Sequence, residues 1–109
     1  MAEPTLQQIF GEHATQTATT LTIAKSDLAI TGLTASATNT AESLMSAIIL
    51  LASKYLNEEN QQTNADIQIT IAPGFDTLVN RNNQTYRQRS YTVEFQKVDT
   101  TSTIDPNDY

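Results

Sequence analysis

The run from Asn39 to Asn57 constrains this chain more than any other stretch, because its apolar residues recur at spacings of three and four and demand a helix. Asn39 stands where a cap belongs, and Glu42, three residues on, can reach back to complete a capping box; Thr40 is the competing cap. Lys54 suits the opposite end of the peptide dipoles, and Asn57, Glu58, Glu59 and Asn60 read as the stop. Ala41, Leu44, Ile48, Leu51, Ala52 and Tyr55 share one face. Met45, Ile49 and Leu56 widen it, and Leu50 lies nearly opposite its centre.

A helix this apolar has more surface to cover than one sheet can use. Either the chain's own loops and termini close the outer edge around Ala47, Ile49 and Leu50, or another subunit does. The apolar run from Leu44 to Ala52 is much shorter than the roughly 20 residues of a membrane span, so no membrane partner is expected.

Strand periodicity surrounds the helix. Leu21 and Ile23 alternate with threonines before it, and Ile67, Ile69 and Ile71 alternate with polar residues after it. Pro73 and Gly74 then impose a bend, Phe75 to Val79 resume as a short strand, and Arg81, Asn82, Asn83 and Gln84 form a hairpin tip. Thr85 to Val98 reads as one long return strand with Tyr91, Val93 and Phe95 on the core side. Leu28 and Ile30 either continue an edge strand or pack as a loop up to Gly32, and residues 57–65 read as a polar return loop.

The expected fold is α+β: a small, mostly antiparallel sheet of three to four strands with one long helix on one face, in the order β-α-β-β. A short N-terminal helical arm occupies residues 1–13, with Leu6, Ile9 and Phe10 as its docking residues. The expected domain is a single one over residues 1–98, followed by an acidic flexible tail over 99–109.

Chemistry is sparse. There is no cysteine, so neither disulfides nor thiolate ligands operate, and the three glycines, Gly11, Gly32 and Gly74, form no phosphate-binding loop. His13 is the single histidine and is expected to be a solvated loop residue. Asp66, Asp76 and Glu94 are the carboxylates on or near predicted strands, and each reads better as a turn or surface group than as a catalytic acid. The expectation is therefore a protein that is not an enzyme, with no cofactor and no metal.

A net charge of −6 disfavours general attraction to nucleic acid. Locally the balance reverses: Arg81, Arg87, Arg89 and Lys97 face only Glu94 between Thr77 and Val98. Arg87 and Arg89, with Ala47, Ile49 and Leu50 of the helix, are the candidate interface residues. Arg81, Tyr86, Arg87 and Arg89 are the candidates for the alternative, stacking on and neutralising nucleic acid. The leading expectation is a structural or adaptor protein that associates with itself or with another protein subunit, in a multi-subunit assembly that includes the viral-particle type. The start MAEPTLQQIF carries no secretory signal, so a cytoplasmic location is expected, with a virion or particle component left open.

Overall fold

The computed structural model describes residues 2–99 and 103–109. Its first helix, α1 (Leu6–Phe10), is fixed by a full capping box: the Thr5 hydroxyl accepts from the Gln8 amide, and the Gln8 side chain accepts from the Thr5 amide. Gly11, at φ +110°, ends it in a conformation that side chains resist. Two short strands follow, β1 (Thr15–Gln16) and β2 (Leu21–Thr22), joined by a turn in which the Thr17 and Thr20 hydroxyls lie 2.6 Å apart.

A 3-10 helix over Lys25–Thr31 comes next and stops at Gly32, which is left-handed at φ +102°. The principal helix, α2 (Ala41–Ser53), is capped by Thr40, whose hydroxyl accepts from the Ser43 amide at 3.0 Å. Asn39 instead closes the preceding loop, accepting from the Ser36 amide and donating to the Thr34 carbonyl. The helical pattern expected up to Asn57 breaks after Ser53, because Asn57 caps a separate helix, α3 (Glu58–Thr63), by accepting from the Asn60 amide. The return loop expected over residues 57–65 is thus largely helical.

Strand β3 (Ile69–Pro73) pairs antiparallel with β6 (Tyr91–Phe95), and between them lies a second hairpin of β4 (Thr77–Arg81) and β5 (Gln84–Gln88). Asn82 and Asn83, both at positive φ, form its two-residue turn, the geometry that matches the twist of flanking strands. The long strand expected from Thr85 to Val98 is interrupted at Arg89 and Ser90, where residues 74–76 face only these two and the pairing shifts by one residue. An unbroken strand would put Arg87 and Arg89 on the same side as Tyr91, and the shift in pairing removes that alignment.

The class is α+β, with a short N-terminal helix, a longer helix and small antiparallel sheets. The strands are divided among three two-stranded ladders, β1 with β2, β3 with β6, and β4 with β5. Leu21 consequently adds no row beneath the helix and is half exposed.

The core is small: Ala52, Leu56, Ile67 and Ile71, with Ile9, Ile49, Tyr55 and Ile69 packed around them. Both α1 and the 3-10 helix pack on α2, which in turn lies on β3. The Ile71 amide donates to the Leu56 carbonyl at 2.9 Å, tying the helix exit to β3. The expected tail straddles residues 100–102, which lie outside the described residues; at its end the Tyr109 ring meets the Phe95 ring edge to face, with centroids 5.6 Å apart.

The molecule is long. Its radius of gyration is 16.2 Å, against about 13 Å for a compact domain of this length.

Candidate interaction surface

The outer edge of α2 is the first place to look for a partner, and the chain itself covers much of it. Ala47 is 3% exposed, beneath the side on which the 3-10 helix packs. Leu28 of that segment is fully buried, so the stretch left open between strand and loop is a helical cover for α2. Ala47 therefore offers no surface to a neighbour. Ile49 packs against the core, and Leu50 is half-buried in a shallow depression lined by Thr31, Gly32, Leu33, Ser43 and Ser46.

Met45 on the helix and Ile30 beside it are exposed singly, whereas a contiguous apolar row is uncovered in the C-terminal half of the chain. Ile69 pairs with Phe95, Ile71 with Val93 and Pro73 with Tyr91, so the two rows expected to share a face do so. The helix packs on the β3 row. Tyr91, Val93 and Phe95 remain 42 to 47% exposed, Leu78 is also exposed, and Phe75 at the base of the hairpin is 92% exposed. Every residue of β4, β5 and β6 is exposed.

Backbone groups follow the same logic. The Gln96 amide donates to the Gln68 carbonyl and the Gly74 amide to the Ser90 carbonyl, each at 2.7 Å. With this register, the antiparallel alternation makes Glu94 and Thr92 the residues bonded to β3 and turns the N–H and C=O groups of Tyr91, Val93 and Phe95 outward. The β6 edge is unpaired among the described residues. Of its five residues only Glu94 is charged, and there is no proline or bulge to blunt it.

The arginines are dispersed. Arg89 Nη1 donates to Asp76 Oδ2 at 3.2 Å across the base of the hairpin. Arg81 lies over the Tyr86 ring, 4.5 Å from its centroid. Arg87, paired with Leu78, is on the opposite face of the ribbon from Tyr86, which pairs with Val79. Arg81, Tyr86 and Arg87 border one open depression with Val79 and Gln88, Arg89 is held by Asp76 instead, and one face of the Tyr86 ring is already taken by Arg81.

The carboxylates are no closer to forming a site. Asp76 is held by Arg89, Glu94 stands opposite Thr70 on β6, and the Asp66 amide closes a turn onto Asn64. Among the described residues no three potential ligands converge to hold a metal ion, and no helix is long and apolar enough to cross a membrane.

His13 has a partner that sequence inspection missed. Its amide donates to Asp27 Oδ2 at 2.8 Å, and its Nδ1 lies 2.9 Å from Asp27 Oδ1. The hydrogen bond to Asp27, then the charges of Asp27 and Glu12, raise the imidazole above its ordinary 6.5. Asp27 moves below its ordinary 3.8, chiefly through the hydrogen bonds from His13.

A raised imidazole stabilises the fold fully below pH 6.5 and loses that contribution as pH climbs through the elevated value. A lowered carboxylate contributes above 3.8 and fades as pH falls through the depressed value. The link between the loop after α1 and the 3-10 helix is therefore strongest between those two values. An NMR titration should place the His13 midpoint above 6.5 and return it towards that value in Asp27→Asn. A wild-type midpoint at or below the ordinary value would refute the pairing in solution.

No family model, curated protein or solved structure matches this chain.

Proposed function

We propose that this protein is a non-catalytic structural or adaptor component that associates with itself within a multi-subunit assembly. The observation that carries the reading is surplus surface. The chain exposes 8197 Å², whereas a compact monomer of 12.0 kDa exposes about 6,000 Å². The excess, about 2,200 Å², is in the range one partner contributes to an obligate interface.

Where that surplus lies supports the same reading. A two-stranded hairpin is at best marginal alone in water, yet β4 and β5 keep full register and every residue exposed. Such a ribbon gains by packing on another chain. Burial of Tyr91, Val93, Phe95, Leu78 and Phe75 supplies the driving force, and the Arg81 and Arg87 charges supply orientation against an otherwise acidic molecule.

Sedimentation velocity over a wide concentration range is the test. A defined oligomer is expected at micromolar concentration, weakened by Phe75→Ser without loss of secondary structure, since that side chain meets solvent in the single chain. A strict monomer throughout would overturn the reading.

A further inference from the structure

We infer that the open edge of β6 receives the β4–β5 hairpin of a second copy, joining the β3–β6 ladder of one chain to the hairpin ribbon of another in a four-stranded sheet. This rests on the self-association proposed above and names the contact that produces it.

Three observations select the hairpin as the occupant. The lengths match: β4, β5 and β6 each have five residues, so a hairpin strand can pair along the whole open edge. The needs also match, since the hairpin lacks a third strand and β6 presents the outward N–H and C=O groups of Tyr91, Val93 and Phe95. Their side chains form the exposed apolar stripe on the adjoining face, so one strand addition satisfies the edge and shields the stripe.

Charge gives the third. The hairpin, residues 77–88, carries Arg81 and Arg87 and no acid, a net of +2 within a chain of −6, so the remainder carries −8. Two copies meeting acidic body to acidic body repel. β6 and its exit, residues 91–99, carry Glu94 and Asp99 against Lys97, so the basic hairpin is the segment of a copy that this edge can accept.

The edge geometry provides a selective variant. The Val93 amide points away from β3, so Val93→Pro removes an outward donor without breaking the ladder, and proline is tolerated at such edge positions. Val93→Lys blocks the same edge by charge, and serves if the proline variant does not fold. Leu78→Pro with Arg87→Pro is the matching change on the hairpin's outer edges.

In the full chain, followed by sedimentation and circular dichroism, each edge variant is expected to weaken association by at least about 100-fold. Mixing Val93→Pro or Val93→Lys, which can still donate a hairpin, with the hairpin variant, which can still accept one, should restore a complex. Undiminished association in either folded edge variant, or no complex on mixing, would overturn this contact while leaving self-association standing. A monomeric wild type would remove both.

Discussion

Replacing Ile67 with alanine is expected to destabilise the fold by about 3 kcal/mol, within the range for truncating a large aliphatic side chain in a packed site. Ile67 is 1% exposed and lies in the single small cluster with Ala52, Leu56 and Ile71, where the end of α2 meets the approach to β3. Few other buried residues can compensate. Domains of this size have only about 5 to 15 kcal/mol in total, so the variant should unfold at a much lower denaturant concentration. Phe75→Ala is the contrast: a larger side chain lost from solvent should change monomer stability by less than about 0.5 kcal/mol. Both need comparison at one protein concentration, because association adds apparent stability. A loss below about 1 kcal/mol for Ile67→Ala would place the effective core elsewhere.

The elements legible in the sequence are those whose periodicity meets a partner in space. Ile69 and Ile71 announced a strand, with Ile67 just ahead of it, and Tyr91, Val93 and Phe95 another; the two share a face because their alternation is set by the pleat. The capping region of α2 was equally plain, with Thr40 rather than Asn39 making the bond. α3 was hidden because EENQQT is polar all round and has no apolar stripe. Its signals were local, an asparagine cap at Asn57 and two acids in the first turn, and these also read as the end of the preceding helix.

The site was harder to read than the fold. Alternation shows which residues share a face but not whether that face is covered, and β6 is exposed although α2 packs on its partner β3. The break at Arg89 and Ser90 carries no glycine or proline, so Arg87 and Arg89 looked like one patch. In space Arg89 serves Asp76, and Arg87 lies on the hairpin. The surplus of apolar surface was inferred on the helix; in the structure Ala47 is buried and Leu50 half-buried, Met45 is exposed, and the ribbon is bare. Asp27, fourteen residues from His13, has no sequence signal that pairs them.

That exchange of roles makes Leu28 the other decisive residue. Leu28→Ala is expected to cost about 2 to 4 kcal/mol, since the side chain is 2% exposed and belongs to the segment packed on α2. The 3-10 helix is otherwise held by modest bonds, such as Lys25 Nζ to the Ser36 carbonyl at 2.9 Å and the His13 contacts with Asp27. Without Leu28, amides in the outer part of α2 around Ala47 should exchange hydrogen faster, by a larger factor than those of β3. Ile30→Ala, one residue beyond Ala29 and 69% exposed, should leave both unchanged. The variant also tests which surface assembles. If the outer helix edge were the binding face, uncovering it would strengthen association, whereas docking on β6 leaves the association of folded Leu28→Ala chains equal to that of the wild type.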